Sequence, residues 1–550
     1  MPRILKQPRE ARKGPHTPPT IATRGTRAHH IGLTDRHLQS RIALFQSMGR
    51  PKAAEPGPDN RDIHAMFALK RRPRAQVHIA RGKPETLLPI VAHSALIENF
   101  GRTEKHVHLS SSFPTFCPDD RPSHEACRFA RVNSGDLSTM KDAREFDIIL
   151  FGATGFTGRL VAAHMLGQYG NEGTLRWAIA GRNSAKLEEV ARELGQGGEN
   201  IPRLQADSSN PQEMNDLAER TRVICTTVGP YARYGSDLLG ACVEQGTHYC
   251  DLTAEIPWMV RMMDEHQARA LETGARIIHA CGFDSIPSDL GAFYVHSEMN
   301  RRHGTSCQRI QLRVEDFSGG FSGGTVASMM HMMEEAEGND QLRGLLDAPY
   351  SLNPEGAPQG SDQPETLAPR FDDAFGQWIA PFVMAGVNTK VVRKTNALLE
   401  QAYGPDFGYD EALLTGTGPA GCLRAAGVSA GSALSMGLMS IPAIRKLAAK
   451  KLPAPGEGPS PEQREAGYWK VRLLGTHPVD PGCNLEARLT GDMDPGYGST
   501  SKMLGEAAVC LAMDALPDRA GFLTTAVAMG DALIDRLQKN AGVTFEITNP

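Results

Sequence analysis

The stretch FDIILFGATGFTG, residues 146–158, decides how this chain folds. Its first six residues have the apolar character of a buried strand, and a helical pattern begins directly after the glycines Gly152, Gly155 and Gly158. A strand, turn and helix of this kind predict a dinucleotide-binding loop, because glycines let the backbone approach a pyrophosphate and let the helix pack on the strand. The start of the helix adds free amides and the positive end of its dipole.

The glycine spacing is GxxGxxG rather than GxGxxG, so the prediction depends on the strand and helix around the glycines. We expect the whole loop to hold the phosphates of the cofactor. The loop residues are Gly152, Ala153, Thr154, Gly155, Phe156, Thr157 and Gly158.

Outward from this loop, apolar runs bounded by glycine alternate with helical patterns, which predicts βαβ units and an α/β fold with a parallel sheet. The predicted strands are 146–151, 175–180, 201–206, 222–228, 247–250 and 275–280. The predicted helices are 157–169, 184–195, 211–219, 235–246 and 258–273. Strands in this number and order match a complete doubly wound Rossmann dinucleotide-binding domain, which we place at residues 140–300.

The pattern changes beyond residue 300, and an α+β substrate domain with a mostly antiparallel sheet is predicted for residues 301–550. The predicted strands are 309–317, 468–475, 483–491 and 543–547, and the predicted helices are 325–337, 500–516 and 524–540. The last helix is expected to pack back on the Rossmann domain. Residues rich in Pro and Gly predict surface loops at 352–369 and 452–463.

The first 139 residues differ from the rest in charge. Residues 1–140 hold 23 Lys and Arg against 12 Asp and Glu, whereas the remainder holds 36 against 51. The segment shows no sustained period, which predicts a disordered extension or an upstream region wrongly included in the coding sequence. An organelle-targeting segment is the alternative. The acidic remainder argues against a general nucleic-acid binder.

The ten cysteines show neither CxxC pairs nor a spacing with histidine that suits zinc. In a chain of this length they indicate reduced, mostly buried thiols of a cytoplasmic protein, and no metal site is predicted. No secretory signal is visible, because no apolar run follows the basic start.

Cofactor choice is predicted at the end of the second strand. An NAD-selective site carries Asp or Glu there, whereas this chain reads AGRNS. We expect Arg182, helped by Asn183, to bind the 2′-phosphate of NADP(H). Asp207 ends the third strand, where it either caps the next helix or contacts the adenine. Gly229 and Pro230 turn the chain at the carboxyl edge of the sheet, beside the expected nicotinamide ribose.

Several motifs together resemble the saccharopine dehydrogenase-like oxidoreductases, and most nearly their branch of trans-acting enoyl reductases. The motifs are DIILFGATGFTGRLVA (147–162), AGRNSAKLEEV (180–190), VGPYARYGSDLLGACVEQGTHYCDLTAE (228–255), HACGFDSIPSDLG (279–291), DPGYGSTSKMLGEAAVCLA (494–512) and AMGDALIDRL (528–537). The resemblance implies that the three glycines form the phosphate loop and that Arg182 selects NADP. It also implies that residues 281–285 line the nicotinamide side.

The resemblance implies an NADPH-dependent oxidoreductase, most directly an enoyl reductase that acts on a lipid- or carrier-linked acyl chain. Two alternatives stay open: a saccharopine-type amino-acid dehydrogenase, and a non-catalytic NADP-binding scaffold at a lipid surface. Saccharopine chemistry would need cationic groups for an amino-dicarboxylate substrate, and we match no position of this sequence to them.

Enoyl reduction needs a proton donor beside the acceptor carbon, and the sequence does not identify one. The candidates follow strands at the carboxyl edge of the sheet: Tyr231, Tyr234, Asp251, Thr253, Glu255, Asp284 and Ser285. Each also has a structural interpretation, such as stacking of Tyr231 beside Pro230 or helix capping by Asp251 and Asp284.

Residues 425–444 form a twenty-residue run without a charge, followed by the basic segment 445–451. The length would fit a membrane span, but Gly, Ser and Ala dominate, and a buried helix is the favoured interpretation. Peripheral contact with an anionic lipid surface through the basic segment is the alternative. A homo-oligomer also stays open, because the sequence does not fix the number of chains.

Overall fold

The computed structural model describes residues 144–319, 328–449 and 458–549, except 329, 333, 336 and 361–364. The predicted extension 1–139 lies outside these residues. Parts of the predicted helix 325–337 and of the predicted loops 352–369 and 452–463 also lie outside them.

The strands of the described residues alternate with helices in the first half and come in groups in the second. The strands are β1 (Phe146–Phe151), β2 (Trp177–Gly181), β3 (Arg203–Gln205), β4 (Thr221–Thr226), β5 (His248–Cys250), β6 (Arg276–Ile278), β7 (Arg309–Ser318), β8 (Arg370–Asp372), β9 (Gln377–Ala380), β10 (Gly408–Gly416), β11 (Tyr468–Thr476), β12 (Leu485–Gly491), β13 (Gly521–Leu523) and β14 (Val543–Ile547). The helices are α1 (Phe156–Tyr169), α2 (Ser184–Glu193), α3 (Pro211–Glu219), α4 (Tyr231–Tyr234), α5 (Ser236–Gln245), α6 (Ile256–Thr273), α7 (Ile286–His303), α8 (Asp340–Asp347), α9 (Ala385–Leu398), α10 (Gly418–Met439), α11 (Pro442–Ala449), α12 (Pro461–Glu465), α13 (Thr500–Met513), α14 (Thr525–Ala528) and α15 (Gly530–Asn540).

Seven parallel strands of the described chain form the first sheet, in the order β13–β6–β5–β4–β1–β2–β3. The predicted strands of the first half are β1 to β6, each within a few residues of its predicted position. Every residue of β1 is buried, because helices cover both faces of the sheet. Ile148 and Leu150 join the core on one face, whereas Ile149 and Phe151 join the core on the other. The predicted α/β Rossmann fold is confirmed.

One strand of this sheet, β13, comes from far along the chain and pairs with β6 at the edge. Its three residues are too few to show a period in the sequence, so it was not predicted. Phe522 of β13 is 2% exposed and fills the core at this edge. A pairing between distant parts of the chain therefore completes this sheet, whereas its other strands could be predicted from local patterns in the sequence.

The second sheet has the order β14–β12–β11–β7–β10–β9–β8 among the described residues. Its neighbours run antiparallel except β7 and β10, which are parallel. Buried residues alternate with partly exposed ones along β11, and α7 packs against this sheet. The predicted mostly antiparallel sheet is confirmed. The strands β8, β9 and β10 were not predicted, since two are short and β10 carries the buried acids Asp410 and Glu411.

The helix α13 brings the second half of the chain back onto α1, the helix that follows the glycine loop. Glu506 of α13 is fully buried, and its carboxylate accepts hydrogen bonds from Tyr169 at 2.6 Å and Asn540 at 3.1 Å. His164 of α1 lies 2.8 Å from the same carboxylate. A buried carboxylate needs such partners to offset its lost hydration. This network therefore fixes α13 and α15 to the helix at the glycine loop.

The helix α10 contains most of the uncharged segment 425–444. Its first turns pack against β9 and β10, and Gly421 and Ala425 are its buried residues. Farther along, Leu434 is 64% exposed and Met436 is 65% exposed. The favoured interpretation of the segment as a buried helix is therefore wrong, because the second sheet covers only the beginning of the helix.

No described helix, α10 included, is long and apolar enough to cross a membrane. Arg445 of α11 is the first cation of the basic segment 445–451, yet it is only 4% exposed. It pairs with Glu334 at 3.5 Å and Glu337 at 2.7 Å. Arg445 is therefore not available to an anionic surface, contrary to its expected role, and the side chains of residues 446–451 lie outside the described part of the chain.

Candidate cofactor and active site

The glycine loop joins β1 to α1 at the carboxyl edge of the first sheet, where ligands bind in doubly wound folds. The amides of Gly152 and Ala153 donate to the Ala180 carbonyl of β2, at 2.9 and 3.3 Å. The amide of Gly155 donates to the Gly152 carbonyl at 3.0 Å. These amides hold the turn in shape and are already paired.

The first turn of α1 carries the amides that are open to a ligand. Those of Phe156, Thr157 and Gly158 donate to no carbonyl of the described residues, and no side chain caps the helix at Gly155. Unpaired amides at a helix start suit a phosphate, since the helix dipole adds a positive potential there. We propose these amides, rather than those of the turn, as the donors to the pyrophosphate.

Two glycines of the loop stand where a side chain would collide with its surroundings. Gly152 has a φ of +92°, and a Cβ there would lie 2.7 Å from the side chain of Val228. A Cβ on Gly158 would lie 2.2 Å from the carbonyl oxygen of Gly152. The loop therefore keeps a bare backbone, which a closely approaching pyrophosphate requires, and the residues present fit a dinucleotide.

Arg182 directly follows β2 and is exposed, as a side chain that binds a ligand phosphate must be. Asn183 caps α2, because its Oδ1 accepts a hydrogen bond from the amide of Lys186 at 3.0 Å. The side-chain amide of Asn183 keeps its donors. Binding of a 2′-phosphate by Arg182 and Asn183 stays a prediction.

Asp207 lies near Arg182 at the end of β3. Its Oδ1 accepts hydrogen bonds from the Ser209 amide at 3.0 Å and the Ser209 hydroxyl at 2.8 Å. These bonds, with a smaller contribution from Arg182, hold the pKa of Asp207 below its ordinary value. The cap of α3 is Asn210, which accepts from the amide of Gln212 at 3.2 Å. The helix-capping alternative for Asp207 is therefore wrong, and contact with the adenine stays a prediction.

The loop after β4 touches the glycine loop directly. The Thr227 hydroxyl donates to the Gly152 carbonyl at 3.1 Å, and the Val228 amide donates to the Thr226 hydroxyl at 3.2 Å. Gly229, which is exposed, and the partly exposed Pro230 follow at the edge of the sheet. Their contact with the nicotinamide ribose stays a prediction.

Residues from the second half of the chain pack on the glycine loop. The ring of Phe156 meets that of Tyr497 edge to face, with 4.6 Å between centroids, and the Arg464 guanidinium lies 5.5 Å from the Phe156 ring centroid. Sequence reasoning assigned neither Tyr497 nor Arg464 to the site. The signal that could have found Tyr497 is its place in the motif 494–512, which carries part of the family resemblance.

Glu255 organises the loop after β4. Its carboxylate accepts the amides of Tyr231 at 2.9 Å and Ala232 at 2.8 Å, at the start of α4. It also accepts the hydroxyl of Ser328 at 2.8 Å. Glu255 is 1% exposed, so these bonds compensate its buried charge and give it a positioning task.

Both the hydroxyl and the ring of Tyr231 also have partners. Its hydroxyl donates to the Thr226 carbonyl at 3.3 Å and accepts the Leu252 amide at 3.2 Å, and its ring lies 5.7 Å from that of Trp258. Burial raises the pKa of Tyr231 well above its ordinary value. These contacts of Tyr231 join the loops after β4 and β5. Tyr234, the other tyrosine among the candidates, is 39% exposed.

Asp251 and His279 form a buried pair at the ends of β5 and β6. The Asp251 carboxylate lies 2.8 Å from Nδ1 of His279 and accepts the amides of Thr253 at 3.0 Å and Ala280 at 3.3 Å. Ala280 has a left-handed φ of +59°, a strained conformation that these bonds hold in place. The cap position of α6 is Glu255, so the interpretation of Asp251 as the helix cap is wrong.

Ser285 belongs to a buried polar chain that sequence reasoning missed. Its hydroxyl donates to Asn388 Oδ1 at 3.0 Å, and Asn388 Nδ2 donates to Glu411 at 2.9 Å. The Tyr409 hydroxyl donates to the other oxygen of Glu411 at 2.7 Å. Burial raises the pKa of Glu411. These hydrogen bonds connect the loop after β6 to α9 and β10. Both elements carry polar residues at buried positions, so they lack the apolar pattern from which buried elements are predicted.

Asp284 differs from the other candidates. It lies in the loop between β6 and α7, is partly exposed, and makes no hydrogen bond or ion pair with the residues that the structure describes. Burial raises the pKa of its carboxyl to about 6. The cap position of α7 is Ser285, without a capping bond from a side chain, so the interpretation of Asp284 as a helix cap is wrong.

A metal cluster or a cavity elsewhere in the described chain could also mark a site. Over the described residues, no three His, Cys, Asp or Glu side chains are grouped so that they could hold a metal ion, and the predicted absence of a metal stays a prediction. A cavity of about 410 Å³ lies along α7 and is lined by residues that include Phe293, His296 and Asn300. It contains none of the predicted site residues.

Comparison with known protein families gives the same domain. The family model of the saccharopine dehydrogenase NADP binding domain matches residues 148–278. Among solved structures, apo saccharopine dehydrogenase (L-Glu forming) from Saccharomyces cerevisiae covers 74% of this chain and 100% of its own, at 11% identity and a TM-score of 0.40.

Relatives of known name match over most of their length. A Mycobacterium tuberculosis protein, whose name as a trans-acting enoyl reductase is provisional, is 42% identical over 419 residues, which are 74% of this chain and 98% of that relative. The trans-acting enoyl reductase of Mycobacterium bovis is 39% identical over 420 residues, again 74% of this chain and 98% of the relative.

The matched domain, with its bare glycine loop at the carboxyl edge of a parallel sheet, makes this chain an NADP-dependent oxidoreductase with NADP(H) as its cofactor. The identity to relatives that it spans almost completely shows the family as well. The chain belongs to the saccharopine dehydrogenase-like family, in the group of the trans-acting enoyl reductases, as its motifs had indicated.

Proposed function

We propose that this protein reduces the carbon–carbon double bond of an α,β-unsaturated acyl thioester whose chain is linked to a carrier or a lipid. The observation that carries the proposal is the bare glycine loop at the carboxyl edge of the parallel sheet, in a chain that is 39% identical to a trans-acting enoyl reductase. Asp284, an acid without a partner among the described residues, lies at the same edge. An acid at this edge suits a reaction that adds a hydride and a proton. The word trans-acting in the names of the relatives favours a substrate that a separate carrier presents.

Bound NADPH supplies the hydride for this reduction. The free amides at the start of α1 would hold its pyrophosphate, and Arg182 would pair with its 2′-phosphate. Asp207 would contact the adenine, and Gly229 with Pro230 would line the nicotinamide ribose. The saccharopine-type alternative is not favoured by any of these contacts.

The second half of the chain shields the phosphate end of this site. Phe156 lies against Tyr497, and Asp494, which is 1% exposed, accepts the Tyr497 amide at 2.9 Å. Aromatic packing beside the loop excludes water and so strengthens the attraction between the bound phosphates and the helix start.

The exposed part of α10 supports contact with a lipid surface that holds the acyl chain. Leu434, Met436 and Leu438 are 64%, 65% and 40% exposed, in a segment without charge. Each such side chain gains roughly 1 kcal/mol or more on leaving water, so a few of them suffice for reversible binding. Because Arg445 is paired with Glu337, the contact would depend on apolar area more than on charge. If α10 instead binds a second copy of the chain, the protein would form a dimer in the absence of lipid.

The proposed reaction is tested by following NADPH oxidation with the purified full chain. The substrates are a panel of enoyl thioesters of pantetheine and a panel of amino-acid and keto-acid pairs. We expect oxidation with the enoyl thioesters only, and a product that has gained two hydrogens by mass spectrometry. Turnover with the amino-acid pairs alone would establish a saccharopine-type enzyme, and NADPH binding without any turnover would establish a scaffold; either result contradicts the proposal.

A further inference from the structure

We infer that the side chain of Asp284 donates the proton that completes the reduction at the α-carbon of the substrate. The inference rests on the proposed function, since a carbon to be protonated exists only in an enoyl substrate. It is carried by the position of Asp284 in the loop between β6 and α7 and by the lack of any structural partner for its carboxyl among the described residues.

Four of the other candidates at this edge, Tyr231, Asp251, Glu255 and Ser285, are already engaged in hydrogen bonds, whereas Tyr234 is 39% exposed. The carboxylate of Glu255 binds the first amides of α4, and that of Asp251 binds His279 and two amides. The Tyr231 hydroxyl is bound on both sides, and the Ser285 hydroxyl donates to Asn388. A donor used in this way could reach a substrate only after a buried bond breaks, which costs about 1–3 kcal/mol for each group left unpaired.

The backbone on both sides of Asp284 is held in place. The Phe283 amide donates to the Thr500 hydroxyl at 3.0 Å, and that hydroxyl donates to the Pro495 carbonyl at 2.8 Å. On the other side, Ser285 is bound to Asn388 of α9 at 3.0 Å. The loop is therefore fixed on both sides of Asp284, while the Asp284 carboxyl itself has no partner among the described residues. A general acid needs such a fixed position and a free proton-donating group.

The same contacts place the loop beside the cofactor loop. Thr500 ends the short segment that begins at Asp494 and that contains Tyr497. Tyr497 packs on Phe156 at the start of α1. One segment of the second half thus touches the loop of Asp284 at one end and the glycine loop through Tyr497, so the two loops are joined through this segment at the carboxyl edge.

The environment of Asp284 also suits proton donation near neutral pH. Burial, without a neighbouring cation, raises the pKa of its carboxyl to about 6. An acid with a pKa near the working pH is protonated in part of the molecules and still gives up its proton readily. An ordinary aspartic acid would be ionised almost completely under the same conditions.

The step balances with the groups named. A hydride from bound NADPH would form a bond to the β-carbon as its C–H bond to the cofactor breaks, and the electron pair of the double bond would pass toward the α-carbon and the thioester oxygen. The α-carbon then forms a bond to the proton of Asp284. The enoyl thioester is thereby reduced to the saturated thioester, NADPH is oxidised to NADP⁺, and the carboxylate of Asp284 takes a proton from water before the next turnover.

The test compares Asp284→Asn and Asp284→Glu with the wild-type full chain. Asparagine keeps the size of the side chain but cannot act as an acid, so kcat should fall by about 10²–10⁴-fold while NADPH affinity is unchanged. In the wild type, kcat should decline as the pH rises above about 6, because the carboxyl loses its proton. This decline should vanish in Asp284→Asn and return in Asp284→Glu.

A second measurement does not depend on turnover. In protein with carboxyl-labelled aspartate and no cofactor, ¹³C NMR should show a signal that titrates near pH 6 and is missing from Asp284→Asn. The matched control is Asp264→Asn, an exposed acid of α6, which should leave kcat, its pH profile and the NMR signal unchanged.

Two results would overturn the inference in different ways. If the wild type reduces enoyl thioesters and Asp284→Asn keeps both its rate and its pH profile, the proposed function stands and the role of Asp284 is wrong. If the wild type reduces no enoyl thioester, the proposed function fails and the inference fails with it, whatever the NMR titration shows.

Discussion

The helices α9 and α10 depart from the usual distribution of polar and apolar residues in opposite directions. α9 is buried, although it carries polar and charged side chains such as Asn388, Lys394 and Thr395, which are 1%, 3% and 0% exposed. α10 is rich in apolar side chains, yet Leu434 and Met436 are mostly exposed. Buried polar groups need partners, and large exposed apolar surfaces mark contacts with other molecules, so both departures require an explanation.

In α9 the partners are found within the chain. Arg393 donates to the Pro349 carbonyl at 3.2 Å, and Asn396 donates to the Gly404 carbonyl at 3.1 Å. Thr395 shares a hydrogen bond with Thr524 at 2.6 Å. Each of these bonds replaces hydration lost on burial, and together they attach α9 to the segments around it.

In α10 the buried residues of the described chain, Gly421 and Ala425, lie in the first turns, and Leu434 and Met436 farther along are mostly exposed. The contrast favours different roles for the two helices: α9 binds Ser285 beside the proposed proton donor, and for α10 we propose a contact outside the chain. The two helices should therefore respond differently to substitution.

The largest effect is expected from Asn388→Leu in α9. This change removes the partner of the Ser285 hydroxyl and one partner of Glu411, whose carboxyl is buried. The free energy of unfolding should fall by about 3 kcal/mol, measured by urea denaturation, because two buried polar groups lose a bond.

The control for that variant is Thr389→Val in the same helix. Thr389 is equally buried, but its hydroxyl donates only to the Ala385 carbonyl of its own helix, so the loss should stay below about 1 kcal/mol. Equal losses for the two variants would show that the bonds across elements are no more important than those within α9.

A smaller effect of the opposite sign is expected from Lys394→Met. Lys394 is buried with its Nζ 3.1 Å from the sulfur of Met263, and burial lowers its pKa from 10.5 to about 7. Between these two values the unfolded chain binds more protons than the folded one, so the wild type should become more stable as the pH rises from about 7 to about 10.5. Below pH 7 the buried charge has its full cost, and there the variant should be more stable by about 2 kcal/mol.

The rise of stability with pH should disappear in Lys394→Met, as followed by thermal unfolding at several pH values. Asp289, the acid whose charge acts on Lys394, keeps its bonds to Thr525 and Ala526 in the variant. Lys470→Met on the exposed side of β11 is the control and should leave the pH profile of stability unchanged. An unchanged profile in Lys394→Met would contradict the assignment of the rise to Lys394.

The smallest effect on stability is expected in α10. The double change Leu434→Ser and Met436→Ser alters exposed side chains, so the free energy of unfolding should move by less than about 0.5 kcal/mol. Leu473→Ala in the core of β11 should cost about 2–5 kcal/mol under the same conditions.

The same double variant should lose binding to lipid. In flotation with phosphatidylcholine vesicles, the wild type should float in part, with little dependence on salt, and the variant should not. A strong loss of stability in the variant would show that α10 is part of the core, and equal flotation of both proteins would show that lipid contact lies elsewhere.

The glycine loop could be predicted from sequence because neighbouring residues build it. Gly158 needs its missing Cβ because the Gly152 carbonyl lies against it, and β1 beside them is a plain apolar run, although the contact of Gly152 with Val228 is distant in sequence. Arg182 could be proposed for the same reason, since it directly follows a strand. The structural interpretations of Asp207, Asp251 and Asp284 as helix caps were wrong, because the positions taken by Asn210, Glu255 and Ser285 depend on where each helix begins.

The remainder of the site depends on residues that are distant in sequence. Ser285 meets Asn388, which is 103 residues away, and Phe283 meets Thr500, which is 217 residues away. The exposure of α10 could not be predicted either, because a run without charge looks alike in a core and at a surface. What covers it depends on β9 and β10, and neither shows a clear period.

The most direct test of the cofactor site is the affinity of the wild type and of Arg182→Ala for NADPH and NADH, measured by isothermal titration calorimetry. We expect the wild type to bind NADPH more tightly than NADH by roughly 1.5–3 kcal/mol, since an exposed Arg at the end of β2 would make charge-assisted bonds to the 2′-phosphate. Arg182→Ala should lose most of this preference and keep its affinity for NADH, and Arg192→Ala in the last turn of α2 should keep both. Equal affinities in the wild type, or an unchanged preference in Arg182→Ala, would contradict the assignment of NADP selection to this edge of the sheet.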